Sequence, residues 1–178
     1  MTIRTAKLTF AAATFATALV AGTLSSAVAG SLTSTVDVST TVAASCTINT
    51  ATLTFTAYDP INANASTPDD ATGNIVIRCT KGASGITIDL GNGAHNGGGQ
   101  RQMANTTNTA VLLPYEIYKE GTRALVWGTG DSGTVYAGAT LDGTGADVSV
   151  TMYGRIPAAQ LQAIAGSYGD TIVSTINF

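Results

Sequence analysis

Charge is scarce in this chain: only 11% of its 178 residues are Asp, Glu, Lys or Arg. Histidine occurs once, at His95, and aromatic residues make up 6%. Each shortage excludes something. A single histidine, set in a Gly/Asn-rich stretch with no cysteine or carboxylate beside it in sequence, offers neither a metal centre nor a triad base. Serine and threonine abound, but no G-x-S-x-G elbow places a serine as a nucleophile. The Asp69-Asp70, Asp142 and Asp147 carboxylates sit in segments that read as loops. They do not follow the D-x-[DN]-x-[DN]-G calcium pattern, so solvated loop charge is the expectation. The glycine-rich run Gly91 to Gly99 is not followed by Lys-Ser/Thr and is no phosphate cradle. With no nucleophile, base and orienting group in view, an enzyme is the last reading, and no cofactor or metal site is expected.

The start of the chain reads as a secretory leader over residues 1–29. Arg4 and Lys7 form a basic end, Leu8 to Leu24 an apolar stretch, and Ala27-Val28-Ala29 a small-residue cleavage site. Alanine and threonine dilute the apolar run, which argues against a membrane helix. Cleavage after Ala29 leaves six basic against eleven acidic residues, a net charge of −5. Such a surface repels phosphate backbones, so no nucleic-acid partner is expected. Two cysteines remain, Cys46 and Cys79. An even count behind a secretory leader, at a spacing far from C-x-x-C, implies a disulfide in an oxidising compartment.

Behind the leader, Gly30 to Ser45 alternates with period two. Leu32, Ser34, Val36, Val38, Thr40, Val42 and Ala44 share one face, and the other face is mostly Ser, Thr, Asp or Ala. Such a leading strand is either the domain's own edge or one lent to another molecule; the second reading is preferred. Val42 is assigned to the chain's own first strand. Further strands are expected at Thr47 to Thr56, Gly73 to Thr80, Gly85 to Leu90, Ala110 to Lys119, Ala124 to Trp127, Val148 to Ile156 and Asp170 to Phe178. Tyr58 to Thr72 and Gly91 to Asn108 read as loops, Gly128 to Asp131 as a turn, and Ala158 to Ala165 as a turn of helix or a loop. Many short strands at turn-spaced intervals indicate an all-β sandwich. Trp127, Tyr115, Tyr118 and Tyr153 are expected in core and rim packing, not in a sugar-binding face. Tyr168, just before the last strand, is placed like a sandwich's corner tyrosine.

Four features together resemble the spore coat protein U domain family, which includes subunits of archaic, Csu-type chaperone–usher pili. They are Val36-Asp37-Val38 ahead of Cys46; Cys79 closing the Gly-x-Ile-x-Ile-x-Cys strand from Gly73; LLPYEIY (Leu112 to Tyr118) followed by Trp127-Gly128; and YGRIP (Tyr153 to Pro157), then GSYGDT (Gly166 to Thr171) and a terminal strand. The AAQLQAIA stretch departs from the usual pattern. The resemblance implies an incomplete immunoglobulin-like β-sandwich, over residues 41–178, that lacks its last strand. It implies a donor strand over residues 30–40, a periplasmic chaperone and an outer-membrane usher as partners, and identical or related pilin subunits joined into a polymeric fibre at the cell surface. The donor strand would present Leu32, Ser34, Val36, Val38 and Thr40. The last strand, with Ile172, Ser174, Ile176 and Phe178 on one face, would border the open groove and receive the chaperone. Burying Leu32, Val36 and Val38 would stabilise the contact by roughly 5–9 kcal/mol. The function expected is a structural pilus subunit for adhesion and biofilm formation, in the shaft and not at the tip. A secreted spore or envelope coat protein and a self-contained carbohydrate-binding sandwich are the alternatives.

Overall fold

A computed structural model describes residues 29–49, 51–129 and 134–178. The leader lies outside the described residues apart from Ala29, as do Thr50 and part of the Gly128 to Asp131 turn. The chain divides into an N-terminal unit ending at Thr40 and a domain from Thr41 to Phe178. In the first unit, residues 29–40 form no strand, and Leu32, Val36 and Val38 are exposed.

The domain is all β. Its strands are β1 (Cys46–Ile48), β2 (Asp69–Cys79), β3 (Thr87–Leu90), β4 (Asn96–Gly97), β5 (Gln100–Asn105), β6 (Leu112–Pro114), β7 (Glu116–Tyr118), β8 (Tyr136–Ala137), β9 (Asp147–Ile156), β10 (Tyr168–Gly169) and β11 (Ser174–Asn177). One sheet runs β1-β2-β9-β7 and a second β11-β3-β8; β10, β5, β4 and β6 form a third. Every named pairing is antiparallel.

The period-two pattern explains the core. In β2 the inward positions are Gly73, Ile75, Ile77 and Cys79; in β9 they are Val150, Met152, Gly154 and Ile156. These meet Ile86, Ile88, Leu90, Ile117 and Leu141 in one apolar cluster around Trp127, which has no exposed surface. The indole N–H of Trp127 donates to the Ile88 carbonyl at 2.8 Å, so burial leaves no polar atom of this ring unpaired. Trp127 and Tyr115 are therefore core residues, and Tyr118 and Tyr153 face each other across β7 and β9. Cys46 and Cys79 sit directly opposite in the β1–β2 ladder and are joined by a disulfide.

Several expectations are corrected. Asp69 to Thr72 is the start of β2 and not loop: Asp70 takes a two-pronged pair from Arg155 on β9 (2.7 and 2.8 Å), and Asp69 accepts from Thr56 Oγ1 at 2.8 Å. Asp147 opens β9 and pairs with Arg78. Gly91 to Asn108 is not a free loop, because β5 runs through it with Arg101 and Asn105 buried. The Arg101 guanidinium bonds Glu116 and the carbonyls of Leu90, Gly91 and Trp127, which is what lets a strand without apolar alternation enter the interior. Ala110 to Lys119 splits at Tyr115, where the chain leaves β5 for β9; Pro114 has no N–H with which to continue a ladder. Val42 does not belong to the first strand, which begins at Cys46; it is exposed. Ala158 to Ala165 holds turns and no helix, and Ala159 has φ 57°.

Two predictions follow from local chemistry. Replacing Cys46 and Cys79 by alanine should cost about 3–4 kcal/mol in urea denaturation, the chain-entropy value for a loop of 33 residues. Glu120 is held to about 2, below its ordinary 4.5, by Thr122 Oγ1 and by the N–H groups of Leu125, Ala124 and Arg123. A depressed carboxyl stabilises the fold above its unfolded value, and that contribution is lost as pH falls from 4.5 towards 2. Urea midpoints of a Glu120→Gln variant should therefore be lower near neutrality and fall less steeply across that window.

Candidate functional site: an open groove

One edge of the domain is unfinished. Ala51 to Thr56 keeps a strand's alternation, with Leu53 and Phe55 inward and Thr52, Thr54 and Thr56 outward, yet it belongs to no strand. Among the described residues, none of its peptide groups has a backbone partner. Two glycines set its position. At Gly73 a Cβ would strike the Thr52 carbonyl, and at Gly154 one would lie 2.7 Å from Leu53 Cδ2 and 2.8 Å from Phe55 Cζ. Their missing side chains let Leu53 and Phe55 pack directly on the sheet.

The opposite wall is the segment from Ala163 to Ser174. Its Thr171 and Val173 carbonyls accept from Ala94 and Gly91, at 3.0 and 2.9 Å. Alternation along an extended chain turns the peptide groups of Ile172 and Ser174 the other way, towards the first wall. Between the walls lies a groove in two connected parts. The narrower, about 520 Å³, reaches core residues Ile75, Leu90, Ile117 and Met152. The wider, about 830 Å³, opens over Leu113 and Ile156 between Tyr58-Asp59-Pro60 and Ala163-Ile164. Leu53, Phe55, Met103 and Tyr168 line both.

Polar contacts brace the walls. Tyr115 crosses the floor, meets the Phe55 ring edge-on at 6.2 Å, and donates its hydroxyl to Asp170 Oδ2 at 2.7 Å. Burial, then the Asp170 carboxylate, pushes the Tyr115 phenol well above its usual range, so it remains a donor. Asp170 Oδ1 accepts from Ala94 N–H (2.9 Å) and His95 N–H (3.2 Å), with His95 Nδ1 at 3.2 Å. The fold thus supplies His95 with a carboxylate that is remote in sequence. Among the described residues no cluster of His, Cys, Asp or Glu could hold a metal. Tyr168 closes the corner, its hydroxyl bonding the backbone N–H and carbonyl of Ile164, both at 2.9 Å.

The groove-edge residues named from sequence fall as follows. Ser174 and Ile176 lie in β11, Ile172 precedes it, and all three are half-buried; Phe178 follows it and is exposed. The Ala51 to Thr56 wall, Tyr115 and Asp170 were missed as a set. The Leu53/Phe55 alternation was the available signal, but it reads as an ordinary strand until the missing partner is seen.

A family model of the Spore Coat Protein U domain matches residues 32–175. The chain belongs to the Spore Coat Protein U domain family. A solved chain with this fold comes from the crystal structure of the CsuC–CsuE chaperone–tip adhesion subunit pre-assembly complex from archaic chaperone–usher Csu pili of Acinetobacter baumannii. The TM-score is 0.56 at 22% identity; the match covers 78% of this chain and 41% of that one. The spore coat U domain therefore spans less than half of its structural neighbour. Among curated proteins, none matches the chain.

Replacing Tyr115 by Phe tests the brace. It leaves a buried carboxylate oxygen without its donor, so the domain should lose about 1–3 kcal/mol in urea denaturation. Unchanged stability would show that the hydroxyl bond does not hold the walls.

Proposed function

We propose that this spore coat U domain is a structural subunit of a chaperone–usher pilus, polymerised by donor-strand complementation for surface adhesion and biofilm formation. The observation that carries the reading is the groove, whose apolar floor lies open between Ala51 to Thr56, without backbone partners among the described residues, and the outward edge at Ile172 and Ser174. Such an edge is a template for a strand from another molecule. Residues 30–40 have the matching chemistry. Leu32, Val36 and Val38 supply apolar side chains on one face, Ser34 is a small member of that face, and Thr40 ends it. Leu32 to Thr40 and Ala51 to Asp59 are both nine residues long; as strands each spans about 27 Å. The donor would be the segment of an identical or related subunit. Before assembly a periplasmic chaperone would cover the same groove, pairing beside Ile172, Ser174, Ile176 and Phe178. An outer-membrane usher would then exchange chaperone for donor strand, carrying the fibre from periplasm to cell surface. This role calls for no catalysis and no cofactor.

The test is assembly. Co-expressed with its chaperone and usher, the chain should give an SDS-resistant ladder in unboiled samples that collapses on heating. Deleting Ser31 to Ser39 should abolish the ladder and leave chaperone binding intact. Val36→Asp should weaken it by forcing a charge into an apolar pocket. A deleted chain that remains a folded monomer and needs no chaperone would support a self-contained sandwich instead.

A further inference from the structure

Two loops at the wide end of the groove carry exposed aliphatic side chains. Ile61 is 69% exposed, Leu161 63% and Ile164 46%. The loops are laced together: Tyr58 Oη donates to the Pro157 carbonyl at 2.6 Å and accepts from Gln160 N–H at 3.1 Å, and Ala159 N–H donates to the Asn64 carbonyl at 2.8 Å. Pro60 and Ile164 line the mouth of the groove, so the patch is continuous with it. An exposed aliphatic cluster on braced loops is the usual mark of a contact surface.

The occupant follows from direction and chain length, and this inference rests on the donor-strand reading. Every named ladder in the domain is antiparallel. A donor continuing the β11-β3-β8 sheet antiparallel to β11 enters beside the end of β11 and leaves at the wide mouth, with Thr40 between Tyr58-Pro60 and Ala163-Ile164. Val42 is two residues further on, within about 7 Å along the chain. Val42 is 77% exposed, and Ala43 and Ala44 beside it are exposed too. Four residues after Val42 the chain is fixed at Cys46 by the β1–β2 ladder and the disulfide. So short a link cannot carry Val42 far from the mouth. We propose that Val42, Ala43 and Ala44 of a second copy seat on Ile61, Leu161 and Ile164, a body-to-body contact that limits bending at each fibre joint.

The experiment uses assembled fibres of the full chain. Val42→Cys combined with Ile164→Cys, treated with a short bismaleimide, should give covalent oligomers in boiled, reduced samples. Val42→Cys combined with Ser149→Cys, on the outer face of β9, should not. Fibres carrying Ile61→Ser and Leu161→Ser should still form a ladder but dissociate at a lower temperature. A normal ladder with no more cross-linking in the first pair than in the control overturns the contact and leaves the donor-strand reading standing. Absence of any ladder from the unmodified chain removes both.

Discussion

An apolar interior bounded by unpaired backbone is the constraint on which the rest of this structure depends. Each unpaired peptide group at a sheet edge must find water or a partner, and each apolar residue below it gains from being covered. Ala51 to Thr56 and the Ile172/Ser174 edge face one another with both needs unmet over Ile75, Ile117 and Met152. One extended strand from elsewhere would meet both at once. Binding by such a strand would be coupled to folding stability, since dissociation reopens the interior.

The surrounding fold holds the two walls apart without letting them collapse together. Gly73 and Gly154 seat the first wall close to the sheet, and the Cys46–Cys79 bond anchors the chain just ahead of it. Asp170 ties the second wall to the glycine loop at Ala94 and His95, and Tyr115 joins it to the floor. Arg101, buried at 1% exposure, gathers carbonyls from two further segments beneath. These polar braces cost desolvation unless satisfied, and nearly all of their atoms are paired.

How much of this was legible beforehand depended on period. The all-β class, the inward face of β2 with Ile75, Ile77 and Cys79, the disulfide and the corner role of Tyr168 followed from alternation, cysteine count and position. The family was legible from GNIVIRC, LLPYEIY and YGRIP in order, and the family model's match to residues 32–175 establishes it. β5 escaped notice because its buried members are Arg101 and Asn105, whose burial depends on carbonyl and carboxylate partners far away in sequence. The split at Tyr115 and the Asp170–His95 contact escaped for the same reason. The groove itself could not be read from residue types: Thr47 to Thr56 alternates as any paired strand would, and only the pairing shows that its second half stands alone.

The most direct measurement is amide hydrogen exchange of the chain, free and in its assembled form, followed at Thr52, Thr54, Ile172 and Ser174. This account expects rapid exchange at these amides in the free domain and strong protection once a second copy's residues 30–40 are in place, with β2 and β9 protected throughout. Protection already complete in the free domain, or unchanged on assembly, would contradict it.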